Sequence, residues 1–392
     1  MKTLIIILLC FMLGASSVSA ERGILGAMSY DSPLGCAPNS VFNLVAGTIL
    51  NTTSTASVGN ILHSLTIFPN YNNGQGVAYQ SMQGTSGNAS ITIATSGLHP
   101  TSYFGSLQYS TSGVPDISNS IGAVGIQSLQ RLFIHGTRQT APCNVTQCLH
   151  NWLFDTTGSG PGINTDFTIA SANAGQSTLG GVQSTTDGTV FFLHRLSTPP
   201  NSTMLWQFDE NVTTTLAFLN VGNVITREMA QDTNAVYFTR SSTNQVIKVE
   251  KIGMALTAFN ITPTSLADNL VYSASQNSFY LATITGGPSL TIRQYNSTFS
   301  SEINNLVLGN EAIIPSGILS DEAASKLYII TEVPGFKRIR RVNPSTLTIE
   351  QTLSIPTGLV NFVAASDFTH KSLWISDANS SQAHIQRVQL CT

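Results

Sequence analysis

Short β-rich runs recur along the chain, sustained helical periodicity is almost missing from it, and the last repeat lacks a strand that the N-terminal segment can supply. Together these observations predict an all-β protein: a seven-bladed β-propeller of four-stranded antiparallel blades, its ring closed by an N-terminal strand that completes the last blade. The recurring runs are Val77-Ala78-Tyr79, Leu132-Phe133-Ile134, Val190-Phe191-Phe192, Val236-Tyr237-Phe238, Phe279-Tyr280-Leu281, Leu327-Tyr328-Ile329 and Leu373-Trp374-Ile375. Their middle residues are spaced by 55, 58, 46, 43, 48 and 46 positions, and the last four intervals match the period of about 40–50 of four-stranded blades. The longer second interval holds the Cys143–Cys148 segment, which reads as an insertion.

Taken in chain order, Met1 to Ala20 reads as a secretory signal: Lys2, an apolar run from Leu4 to Leu13, then Val18-Ser19-Ala20 as small residues for cleavage. The apolar run is too short to span a bilayer, which takes about 20 residues. Residues 21–392 are expected as one propeller domain, with 41–50 (VFNLVAGTIL) as the closing strand and blades from about 58 to 391. In the fifth unit Asn269–Ala274 is a first strand and Ser278–Thr283 a second. Leu290–Tyr295 and Asn305–Leu308 follow as third and fourth. The sixth repeats this with Ser316–Ser320, Lys326–Thr331, Arg338–Val342 and Thr346–Ile355. The seventh supplies only Phe362–Ser366, Leu373–Asp377 and His384–Leu390. The apolar second strands read as buried on both faces, as stacked blades require.

Composition bounds the function. Only 9% of residues are Asp, Glu, Lys or Arg, against about a quarter in an ordinary domain. Seventeen Lys plus Arg against 20 Asp plus Glu leave a net charge of −3, so nucleic-acid binding is not expected. Acceptor triplets for N-glycosylation begin at Asn51, Asn88, Asn144, Asn201, Asn211, Asn260, Asn296 and Asn379, with Pro263 directly after the Asn260 triplet counting against that one. Four cysteines remain once Cys10 leaves with the signal, and an even number in an oxidising compartment suggests two disulfides. Cys143 with Cys148 would close a small loop, and Cys36 with Cys391 would tie the chain ends at the ring seam. Free Cys36 and Cys391, or bonds to another chain, are the alternative.

The string Asp321-Glu322-Ala323-Ala324-Ser325-Lys326-Leu327-Tyr328-Ile329-Ile330, followed by Arg338-Ile339-Arg340-Arg341-Val342, resembles secreted propellers of the NHL and YWTD type. Leu373-Trp374-Ile375-Ser376-Asp377 lies nearest to that pattern of a second strand ending in Asp. The likeness covers about residues 175–391 and implies a fold rather than an activity. Propellers of this kind place the loops between second and third strands on one face around the channel, as a default ligand site. The second-strand ends there are Ser81, Gly136, His194, Arg240, Thr283, Thr331 and Asp377, with Arg195 and Glu332 one step further. His135 and His194, near equivalent places of adjacent units, are further candidates. His135, His194, Arg195, Arg240, Glu332 and Asp377 form the candidate ligand set, for a neutral or zwitterionic glycan or peptide; ordinary solvated loop residues are the competing reading.

No zinc, EF-hand, serine-elbow or phosphate-loop motif is present. Asp187, Asp232, Asp268, Asp321 and Asp367 recur after first strands, which reads as turn capping rather than calcium binding. Lys337, Arg338, Arg340 and Arg341 would attract an acidic glycan, although an exposed strand face explains them better. The expected function is a secreted, non-catalytic binding, matrix or adhesion module for an extracellular protein or glycan, without a membrane span or cofactor. The alternative is a calcium-dependent lactonase- or esterase-like propeller hydrolase, for which Gln127, Gln183, Gln231 and Asn361 are the nearest channel-facing polar residues.

Overall fold

The computed structural model describes residues 42–44, 50–52, 61–68, 77–83, 89–95, 103–108, 117–129, 131–138, 148–155, 177–195, 202–224, 226, 228–261, 265–285, 289–356, 360–369, 371–378 and 383–390. The signal segment, Cys36, Cys143, Cys391, Asn88, Asn144, Asn201 and Asn379 lie outside them, as does the side chain of Cys148. No helix among the described residues is long and apolar enough to cross a membrane.

The chain is all-β. β1 (Phe42–Leu44) and β2 (Leu50–Thr52) come first, then a four-stranded sheet of β3 (Ile61–Phe68), β4 (Val77–Gln83), β5 (Ala89–Thr95) and β6 (Tyr103–Gln108). β7 (Ile117–Ile126), β8 (Arg131–Arg138) and β9 (Cys148–Asp155) form a sheet with three described strands. Four-stranded sheets follow: β10 (Ser177–Gln183), β11 (Val190–Arg195), β12 (Thr203–Phe208), β13 (Thr215–Gly222); then β14 (Ala230–Gln231), β15 (Ala235–Arg240), β16 (Gln245–Glu250), β17 (Leu256–Asn260). The next two are β18 (Ser265–Ser273), β19 (Ser278–Thr285), β20 (Ser289–Asn296), β21 (Glu302–Gly309); and β22 (Ala312–Asp321), β23 (Lys326–Val333), β24 (Phe336–Asn343), β25 (Thr348–Pro356). β26 (Val360–Asp367), β27 (Ser372–Ala378) and β28 (Ala383–Leu390) end the chain. All neighbours within the sheets are antiparallel and, β1 and β2 apart, follow sequence order.

Both β1 and β2 pair with β28, Phe42 opposite Leu390 and Leu50 opposite Ile385. The described residues of the expected 41–50 closing segment are thus Phe42–Leu44 and Leu50, and the second pairing runs past that segment to Thr52. First strands also begin earlier than the alternation suggests, at Ser265 and Ala312. The cause is a break in register within each, between Leu266 and Leu270 in β18 and between Ile313 and Ile318 in β22. A bulge inserts extra residues and interrupts the period of two that marks a strand in sequence. First strands of successive sheets lie side by side, β3 by β7, β7 by β10, β14 by β18, β18 by β22, β22 by β26 and β26 by β3.

The core lies between the sheets, and period-two alternation sorts each second strand onto two neighbours. Val190 and Phe192 of β11 pack with Val124, Ile126 and Phe133 of the preceding sheet. Phe191 and Leu193 pack with Val236, Phe238, Ile247 and Val249 of the following one. The same division recurs for Tyr237 and Phe279, for Tyr280 and Ile329, and for Tyr328 and Ile375. Burial of each such aromatic contributes about 1.5–3 kcal/mol, so the stacking of sheets stabilises the fold. Outer strands differ: β13 alternates half-buried and exposed residues along most of its length.

One further device repeats. The turns into the outer strands hold an apolar residue with positive φ: Val212 (54°), Met254 (53°), Phe299 (54°) and Leu347 (51°). All four are buried. In three of these turns a preceding Asp209, Asn296 or Asn343 side chain accepts from backbone N–H groups of the turn. The left-handed conformation is unfavourable for such side chains, and core burial offsets its cost.

Candidate functional site

Second-strand ends converge on one face, as the repeat requires, but many of their side chains are committed inside the protein. His194, Thr283 and Thr331 are each 0% exposed; Arg195 and Glu332 are half-buried. Arg240 donates from Nη1 to Gln245 Oε1 at 3.0 Å and from Nη2 to the Val221 carbonyl, tying the fourth sheet to the third. Thr283 accepts from Arg293 Nε at 3.0 Å. His135 pairs with Gly122, just after the register break in β7, whereas His194 pairs with Thr178, just before the break in β10. The two histidines therefore occupy different levels of their strands, not equivalent ones. Asp377 lies opposite His384 and Phe362 in its sheet; its side chain, with those of His135 and Asn361, falls outside the described residues.

The basic run of the sixth sheet is neither an exposed strand face nor an open anion site. Lys337 is 1% exposed and Arg340 6%. Glu311, from the turn before β22, accepts Arg340 Nη1 at 2.8 Å and Nη2 at 2.6 Å, Arg338 Nη1 at 2.7 Å and the Thr331 hydroxyl at 2.5 Å. Burial works to raise the Glu311 carboxyl, but the hydrogen bonds from Arg340, Thr331 and Arg338 outweigh it and hold it below the ordinary carboxylate value. Arg341 turns to the other side of β24 and shares Glu350 with Lys326, at 2.7 and 2.6 Å. Lys337 Nζ stands 4.5 Å from the centre of the Phe362 ring. Glu332, opposite Lys337 in register, is pushed up by burial and partly restored by the Lys337 charge. The cations that sequence suggested for an acidic ligand are occupied within the protein.

The opposite face carries the amides. Gln127, Gln183 and Gln231 end the first strands of three successive sheets and fasten each sheet to its neighbour. Gln127 donates to the Ile67 carbonyl at 2.8 Å. Gln183 accepts the Gln127 N–H at 2.8 Å and donates to Ser128 Oγ at 2.9 Å. Gln231 donates to the Gln183 carbonyl at 2.7 Å and accepts the Thr185 N–H at 3.1 Å. Lys251 Nζ holds Gln231 Oε1 from behind at 3.0 Å. Named from sequence as channel-facing polar residues, these three glutamines instead clamp neighbouring sheets together.

The clamps frame a cleft of about 540 Å³ lined by Gly125, Gln127, Ser128, Val182, Gln183, Ser184, Thr185, Gly188, Glu210 and Gln231. Gly188 has φ +74°, and a Cβ there would lie 3.1 Å from the Glu210 carboxyl carbon. Glycine thus meets the left-handed turn and leaves room for Glu210. Sequence reasoning missed Glu210 and Ser128, which stand in different turns and come to line one cleft only through the stacking of sheets. Asp187, Asp232 and Asp321 cap the turns of this face, Asp187 accepting the Thr189 N–H at 3.1 Å and Asp321 the Ala324 N–H at 3.0 Å. Asp232 also accepts the Tyr237 hydroxyl at 2.6 Å. Asp268 departs from the expected series: it lies inside β18, at the register break. Among the described residues no three His, Cys, Asp or Glu side chains gather as metal ligands.

No family model matches the chain, and no curated protein does. Solved structures do. That of U3-55K aligns with a TM-score of 0.57 at 7% identity, over 89% of this chain and 98% of that one. At such identity the likeness speaks for the fold alone, and it supports a β-propeller.

Proposed function

We propose that this chain is a secreted glycoprotein of the NHL/YWTD-like kind, a seven-bladed propeller closed by β1 and β2, and that it binds an extracellular protein or glycan without catalysing a reaction. The cleft beside Gln183 carries this reading. With its amides fixed as clamps, the cleft offers the hydroxyl residues Ser128, Ser184 and Thr185 and one flanking carboxylate, Glu210. That lining suits hydrogen bonding to a neutral, polyhydroxylated ligand such as a glycan, and few surface charges compete with it. Ring closure is supported by β26 lying beside β3 and by the pairing of β1 and β2 with β28. This reading puts the ligand on the turn face, opposite the one sequence favours, because His194, Thr283 and Thr331 are buried there.

The test is a glycan array probed with the secreted protein and with Thr185→Trp, which fills the cleft from an exposed position. Binding that disappears in the variant while its melting temperature is unchanged supports the reading. Equal binding by both proteins rejects the cleft as the site.

A further inference from the structure

The four outer strands whose exposure is described, β13, β17, β21 and β25, are each terminal in their sheets. Such an edge offers unpaired backbone groups to another chain unless something covers it; charge and proline are the usual protections. β13 (TLAFLNVG) has neither, and shows Leu216 at 51% and Phe218 at 62% exposure. β21 shows Ile303 at 53% and Val307 at 61%, with Glu302 alone for charge. β17 is uncharged and shows Leu256 at 39%. Bare apolar edges of this kind favour edge-to-edge association.

Acceptor asparagines stand beside these three strands. Asn211 is exposed in the turn entering β13, Asn296 begins the turn entering β21, and Asn260 is the last residue of β17. The turn geometry presents Asn211 outward, because the next residue, Val212, takes the left-handed conformation and is buried. β25 has no acceptor triplet, and it is the one of the four that combines charge with proline. Glu350 pairs there with Lys326 and Arg341, and Pro356 ends the strand.

We infer that N-linked glycans on Asn211 and Asn296 cover the outer edges of β13 and β21 and keep them from pairing with a second copy of the chain. A glycan suits this role: it is hydrated, bulky and attached within one turn of the strand it covers. Asn260 is left out of the assignment because Pro263 follows its triplet. The inference rests on the reading of the chain as a secreted glycoprotein.

The test begins with glycopeptide mass spectrometry of the secreted protein, then light scattering behind size exclusion. Compared are the wild type, Asn211→Gln with Thr298→Ala, and the wild type after enzymatic deglycosylation without denaturation. Thr298→Ala removes the second acceptor triplet yet keeps the bonds Asn296 Oδ1 accepts within its turn. The expected result is glycan on both asparagines, a monomer for wild type, and at least a doubling of mass for both glycan-free forms. Adding Phe218→Ser and Val307→Ser should return the variant to monomer. Glycan-free forms that stay monomeric overturn the inference, as does association that those serines fail to reverse. Bare Asn211 and Asn296 beside glycosylated Asn88 or Asn144 defeat it alone; a chain bare at every acceptor defeats the glycoprotein reading as well.

Discussion

Removing the Glu311 carboxylate strands two guanidinium groups that it now shares, one of them, Arg340, with only 7% of its side chain exposed. Glu311→Gln should therefore cost about 3–5 kcal/mol, the range for breaking a buried ion pair by losing one partner, read by urea denaturation. Lys326→Met breaks a pair whose members are 25% and 23% exposed and should cost about 0.2–1 kcal/mol. The Glu311, Glu322 and Glu350 carboxyls all fold to values below the ordinary 4.5. Their stabilisation is thus complete above that pH and is lost as pH falls through the folded values. Stability should drop on acidification below about pH 4.5, less steeply in Glu311→Gln, in which one of these linked groups cannot titrate. Little of this was legible in sequence. Lys337 to Arg341 stood out as a basic run, but Glu311 lies far upstream and meets it only after β22, β23 and β24 pair.

At the scale of the element, the central strands were the readable part. Val190-Phe191-Phe192 and its equivalents are apolar at every position, because both faces of a second strand are buried. First strands were read short, since their bulges break the alternation that identifies them. The turns into outer strands escaped notice because their signal is a lone apolar residue among polar ones, as in Asn296-Ser297-Thr298-Phe299. Phe299 lies 4.5 Å from Phe279 and 5.3 Å from Phe259, ring centre to ring centre. Phe299→Ala should cost about 3–5 kcal/mol by loss of that packing, although alanine is no better suited to the backbone there. Phe218→Ser, on the exposed face of β13 but with its ring 5.1 Å from that of Trp206, should cost about 0.5–1.5 kcal/mol. Gln183→Ala removes the acceptor of the exposed Gln127 N–H, which water can replace, and should cost about 0.5–1.5 kcal/mol. Thermal or urea unfolding of the three variants ranks them, and a Phe218→Ser as damaging as Phe299→Ala would contradict the packing described.

Across the whole molecule, a calorimetric comparison in excess EDTA and then in calcium separates the two functional readings. A binding module without metal should melt at one temperature in both. A calcium-dependent gain of about 2.7 kcal/mol, the value for a ligand at 100 times its dissociation constant, would instead favour the hydrolase. A non-reducing peptide map should recover Cys36 joined to Cys391, a species expected from the proximity of β1 to the end of β28. The pairing of β1 and β2 with β28 also sets the order of events at the ribosome. The first strands made must wait for the last, because their partner is still untranslated when every other sheet is complete. Until then Leu373 and Val388 have no finished sheet to bury them, and a chain halted a few residues early keeps an open flank on each side of the seam. Premature stop codons in its last strand should therefore be as damaging to the yield of folded protein as those in its middle.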